Sequence, residues 1–389
     1  MRYILLVIIS IISIGCGDNH SSSSSFQSYL HNLFLKEYFW ADNISKEVNY
    51  QKYNTPQEMI DDLKYKPIDR WSMVMTKEEN DNFLNQTSGG FGFSYSANNT
   101  KERVVFFTRI DSPAYRAGLK RGDVILTVNG KKATVEEIQK ASLDIGVTSS
   151  FEIYRASSDE NLQIDIESKE YTFRVTEAST LASENNETIG YMLFDSFTST
   201  ATTEIDNAFD YFKEQNIKKL IIDLRYNGGG SVITASILLD KLVRDRDDEV
   251  QFLLEWNSNM QHKNQAGRFE TDNNSIDLDT IIFLTTKRSA SASELVINSM
   301  KPYLGEKVIT IGERTHGKPV GMEGRTDGKY IYYLVNFIIS NRDGFYDYFD
   351  GLEVTEGCEA EDDLSHQRGD RDEGMLKKAL FYIDNGYCG

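Results

Sequence analysis

The chain has 389 residues, 40% hydrophobic and 26% charged, enough for two or three domains around sizeable cores. Acidic residues outnumber Lys and Arg by 60 to 42, and the net charge of −18 would repel a phosphate backbone, which sets nucleic acid aside as a partner. The five histidines are scattered and no cysteine cluster has metal-ligand spacing, so neither a zinc site nor a cofactor is expected.

In chain order, Met1-Arg2 supplies a short positive start, and Ile4 to Ile12 is an apolar run too short to span a bilayer as a stable helix. Small residues then lead into Cys16. Residues 1–15 resemble a bacterial lipoprotein signal, with Cys16 as the lipidated residue. That implies export and a lipid anchor in a membrane of the cell envelope; an ordinary secretory signal with an incidental cysteine is the alternative. Residues 16–25 are polar and serine-rich, a flexible tether.

Residues 26–88 read as a small helical domain. Leu30, Leu33, Phe34, Tyr38 and Phe39 recur at helical spacing, and an aromatic stripe of this kind is core. Thr55-Pro56-Gln57-Glu58 is a helix start, with Thr55 as N-cap and Glu58 three residues on. Asp69-Arg70-Trp71-Ser72 resembles a stretch of many exported proteins, without evident chemistry.

Residues 89–175 carry Gly90-Phe91-Gly92-Phe93, then Ser112-Pro113-Ala114, Ala117-Gly118-Leu119, Gly122-Asp123-Val124-Ile125 and Val128-Asn129-Gly130. This run resembles a PDZ domain. The resemblance implies an α+β module that adds an extended C-terminal peptide to a sheet edge, with backbone N–H groups of Gly90–Phe93 holding the peptide carboxylate. A domain that merely spaces its neighbours is the alternative.

Residues 176–389 alternate strand and helix. A strand spans Ile189–Phe194 and an amphipathic helix Thr202–Gln215. Lys219–Leu224 is a continuous apolar strand of the kind buried in parallel sheets. A glycine turn, Arg225 to Gly230, and a helix from Ser231 to Val243 follow. The alternation predicts crossover βαβ units. The apolar strand Thr280–Thr285 then runs into Ser289-Ala290-Ser291-Ala292-Ser293-Glu294 and a helix through Tyr303. A hydroxyl at a helix start lies beside free N–H groups suited to a developing oxyanion. One strand later, Gly312-Glu313-Arg314-Thr315-His316-Gly317-Lys318 supplies a lysine.

Asp223-Leu224-Arg225-Tyr226-Asn227-Gly228-Gly229-Gly230, the serine cluster and Gly317-Lys318, in that order, resemble the C-terminal processing (tail-specific) peptidases. The resemblance covers about residues 85–355. It implies an α/β protease core related to the crotonase and ClpP folds, with an inserted or preceding PDZ domain and the small N-terminal helical domain. It also implies a Ser–Lys dyad of Ser291 and Lys318, with Gly229 (or Gly228) and Ala292 as oxyanion N–H donors. Substrates would be exported proteins or peptides; a homo-oligomer is compatible. The spacing here is two residues longer than is typical, which leaves Ser293 as the alternative nucleophile. Met322 stands where many relatives have a glutamine that orients the lysine, which admits His316 as a rival base. A peptide-binding scaffold without cleavage and a crotonase-like acyl-thioester enzyme are the other readings.

After Cys16, only Cys358 and Cys388 remain. In an oxidising compartment they are expected to pair, pinning a C-terminal helix to the sheet edge near Gly351–Val354.

Overall fold

The computed structural model describes residues 25–84, 86–97 and 102–389; the expected signal, Cys16 and most of the tether lie outside the described residues. Strands Thr176–Ala182, Thr188–Phe194, Lys219–Asp223, Thr280–Thr285 and Val308–Gly312 lie side by side in this order. The first pair is antiparallel and the others are parallel, as crossover units require. Successive side chains face opposite layers. Leu220, Ile222, Ile281 and Phe283 pack against the layer that contains helices Ala201–Glu214, Val232–Leu242 and Ala292–Leu304. Ile221, Ile282, Leu284 and Ile311 face the C-terminal helix Gly374–Asn385. Both faces are covered, which explains why these strands read as unbroken apolar runs.

A second sheet closes the far side of the helices. Its long strand Tyr330–Asn341 pairs with Val250–Trp256, Val320–Thr326 and Met73–Thr76, all antiparallel. Phe337 and Ile339 face the central helices, whereas Ile338 faces the N-terminal segment. That segment is a small domain with the packing role expected of it, and it adds a strand to its helices. Its helices Phe26–Lys36 and Pro56–Leu63 cap the second sheet through Leu30, Phe34, Met59 and Ile60, and its strand Met73–Thr76 joins that sheet. The helix start at Thr55 is as read, a capping box closed by Glu58.

The middle of the chain forms a separate sheet, ordered Phe93–Ala97, Arg103–Thr108, Val124–Val128, Thr148–Arg155 and Glu160–Glu167, with helix Val135–Leu143 capped by Thr134. Phe93–Ala97 is an edge strand. This module touches the core through Arg121, which is buried and bonds to Asp362, the carbonyls of Asp363 and His366, and the Tyr226 hydroxyl.

Cys358 and Cys388 are bridged, with their Cα atoms 5.1 Å apart. The edge contact falls slightly later than expected: residues 355–360 run beside Val308–Gly312, with Thr355 N–H donating to the Thr310 carbonyl and Ala360 N–H to that of Gly312.

Candidate active site

Three strand ends of the first sheet converge. After Lys219–Asp223, the fully buried Asp223 carboxylate accepts the Arg225 guanidinium at 2.6 Å and the Tyr191 hydroxyl at 2.7 Å. Burial alone would push the Asp223 pKa up; the guanidinium outweighs it and holds the carboxyl well below the usual range. Arg225 is also fully buried and reaches Glu373 at 2.7 Å, so the turn starts from an internally neutralised frame.

Asn227 joins this turn to the serines. Its carbonyl accepts the Ala290 N–H at 3.0 Å and the Ser293 hydroxyl at 2.9 Å. Its side-chain oxygen accepts the Gly229 N–H at 2.9 Å. Gly229 adopts φ +96°, and a Cβ there would sit 2.7 Å from the Ser291 Cβ and 2.9 Å from the Ala292 nitrogen, so only glycine allows this approach. The structure therefore brings Gly229 against Ser291 and Ala292. It also engages the Gly229 N–H, which leaves Gly228 as the other glycine N–H named for an oxyanion.

The three serines differ. Ser289 donates its hydroxyl to the Leu224 carbonyl at 2.7 Å and Ser293 to that of Asn227, and both are fully buried. Ser291 is partly exposed at the N-cap of helix Ala292–Leu304, with φ 58° and ψ −113°. A positive φ in a non-glycine residue costs about 1–3 kcal/mol and marks a sharp strand-to-helix turn that presents the side chain.

After Val308–Gly312, the loop to strand Val320–Thr326 carries the lysine. The residue that joins it to the serine was not assigned from sequence: Glu294, fully buried. One carboxylate oxygen accepts the N–H of Ser291 and the N–H of Lys318, each at 2.8 Å. The other accepts the Gly317 N–H at 2.6 Å and the Thr315 hydroxyl at 2.5 Å. Burial raises the Glu294 pKa, but four donors converge on an acceptor-only group, so the ionised form is the one this pocket fits. The signal was present, a glutamate three residues after an N-cap serine.

Lys318 is partly buried, and the desolvation of its amine lowers its pKa to about 8, against the opposing charges of Glu294 and Asp69. The bonds that tie Ser291 to Lys318 run from their backbone N–H groups to Glu294; a contact between Oγ and Nζ often tightens only when substrate is bound. His316 has one ring nitrogen engaged by the N-terminal segment. Its Nε2 accepts the Trp71 indole N–H at 3.2 Å, and its backbone N–H donates to the Ser289 carbonyl at 2.9 Å. Met322 packs on the N-terminal apolar cluster and brings no polar group to the lysine.

In the middle module, Gly90 and Gly92 have φ +101° and +81°. The Gly90 N–H donates to the Lys169 carbonyl, and the carbonyls of Phe91 and Gly92 accept from Ala114 and Arg109. Phe93 opens the edge strand. The Gly90–Phe93 turn therefore leads into the free edge, with helix Val135–Leu143 close by at Ser142.

Comparisons with known proteins agree with this architecture. Residues 188–336 match the model of Peptidase family S41, residues 34–73 the Peptidase S41 N-terminal domain, and residues 108–142 a PDZ domain. A Staphylococcus aureus protein described as a CtpA-like serine protease is 26% identical over 312 residues, 75% of this chain and 59% of its own length. The chloroplastic C-terminal processing peptidase of Tetradesmus obliquus is 28% identical over 247 residues, covering 60% of this chain and 51% of that one. The chain thus spans between half and two thirds of the length of these relatives. A Bacteroides fragilis crystal structure described as an S41 protease superposes with a TM-score of 0.79 at 23% identity, over 92% of this chain and 97% of that one.

Proposed function

We propose that this member of peptidase family S41 is a serine endopeptidase that cleaves exported proteins or unstructured C-terminal tails with a Ser291–Lys318 dyad. The observation that carries the reading is the Glu294 carboxylate, one oxygen of which holds both the Ser291 and the Lys318 backbone at 2.8 Å. In this mechanism the neutral Lys318 amine takes the Ser291 proton as Oγ attacks the scissile carbonyl, then returns it to the leaving amine. A lysine held near pKa 8 has enough neutral form to act at mildly alkaline pH. The Ala292 N–H, at the first position of its helix, and an N–H of the glycine turn receive the oxyanion. The committed hydroxyls of Ser289 and Ser293 favour Ser291 as nucleophile, and the bond from Trp71 to His316 favours Lys318 as base.

In this proposal the PDZ domain recruits a free C-terminus along the open edge of strand Phe93–Ala97. Its Arg121 contacts Tyr226 of the glycine turn, a route by which occupancy could gate the site. Cys16 anchors the exported chain by lipid, in keeping with the Cys358–Cys388 bridge. The test is hydrolysis of casein or a tagged peptide by the purified protein. Cleavage that is lost in Ser291→Ala supports the reading; equal cleavage by both proteins contradicts it.

A further inference from the structure

We propose that the Asp69–Ser72 segment is the positioning device for Lys318, doing from the N-terminal segment what the apolar Met322 cannot do. The inference rests on the Ser291–Lys318 reading. Glu294 grips the N–H side of the base loop at Thr315, Gly317 and Lys318. The opposite side is gripped by residues about 245 positions earlier in the chain. The Arg70 guanidinium donates to the Gly317 carbonyl at 3.3 Å and to the Phe349 carbonyl at 2.8 Å. Trp71 donates its indole N–H to His316 Nε2 and lies beside the Phe349 ring. Gly317, at φ +85°, has no room for a Cβ beneath the Phe349 carbonyl, so the loop is wedged between these contacts.

The segment is itself rigid. One Asp69 oxygen accepts the N–H groups of Trp71 and Ser72, each at 3.0 Å; the other accepts the Ser72 hydroxyl at 2.6 Å and the Tyr38 hydroxyl at 2.7 Å. The Ser72 oxygen accepts the Val335 N–H at 3.0 Å, which fastens the segment to the second sheet. The charged groups that act on the Lys318 amine are the Glu294 carboxylate from the nucleophile helix and the Asp69 carboxylate from this segment. A base held between two rigid braces keeps its amine in the dry position that the chemistry needs; loosening one brace admits water.

The test uses the full chain and two variants. Arg70→Met removes both carbonyl contacts at similar length, and Trp71→Phe removes one N–H while keeping the ring. Competitive acetic anhydride labelling, read at Lys318 by mass spectrometry across pH, reports the titration of its amine without requiring turnover. In both variants the Lys318 midpoint is expected to rise toward the ordinary lysine value of 10.5. At neutral pH kcat should fall roughly tenfold or more with KM unchanged, as for a misplaced group, and Arg70→Lys should recover part of the loss. A Lys318 titration identical to wild type in the folded variants overturns the inference, as does a rise in KM with kcat kept. If the wild-type protein cleaves nothing, the peptidase reading fails on its own, and the labelling series still decides the positioning.

Discussion

Replacing Lys318 with Met should stabilise the protein at neutral pH while abolishing turnover. The lysine is partly buried with its amine desolvated, and its pKa falls from 10.5 to about 8. The unfolded chain therefore keeps this proton up to about pH 10.5, while the folded chain releases it near 8. Between these values the unfolded state binds more protons, so the wild-type stability rises with pH; below pH 8 both states are protonated and the penalty is constant. At about 1.4 kcal/mol per pH unit of displacement, the penalty is on the order of 3 kcal/mol. Met fills similar volume without a charge, although it leaves Glu294 and Asp69 without the cation between them, which offsets part of the gain. The pH-dependent part is free of that complication. Guanidinium unfolding of both proteins from pH 7 to pH 10 should show Lys318→Met ahead at pH 7, with the gap closing by most of about 3 kcal/mol as pH rises. Parallel curves across this range would refute the desolvated, depressed lysine and with it the general-base argument.

Three further outcomes follow from the same contacts. Lys318→Ala should be nearly inactive and His316→Ala should keep much of its activity, measured as kcat on a tagged peptide; the reverse order would make His316 the base. Cys358→Ser should lower the unfolding free energy by roughly 3–4 kcal/mol, the chain-entropy value for a loop of this size, in calorimetry under non-reducing conditions; an unchanged melting temperature would show the bridge to be dispensable. Peptides with a free C-terminus should bind the PDZ domain more tightly than their amidated forms, by titration calorimetry; equal affinity would remove carboxylate recognition by Gly90–Phe93.

Much of the architecture was legible because its signals are local. Lys219–Leu224 and Thr280–Thr285 show as buried strands because their residues meet covered layers on both faces, and Thr55 marks its helix by capping. The second sheet was not legible. Strand Met73–Thr76 finds its partner at Tyr330–Tyr333, a pairing set by packing between distant segments rather than by any short pattern. The site divides in the same way. Ser291 and Lys318 stand in motifs, and the Gly229 bond to Asn227 is a two-residue side-chain turn of familiar type. The grip of Arg70 and Trp71 on the base loop joins residues about 245 positions apart, so Asp69-Arg70-Trp71-Ser72 stood out in the sequence without evident chemistry. Glu294 lies between these cases: its place beside Ser291 is local, and its reach to Lys318 is not.

The most direct test of the central claim is covalent labelling with a fluorophosphonate probe, located by peptide mass spectrometry. The account predicts a single adduct on Ser291, formed faster as pH rises through about 8 and lost in Lys318→Ala. An adduct on Ser293, or a folded protein that takes no label at all, would contradict it.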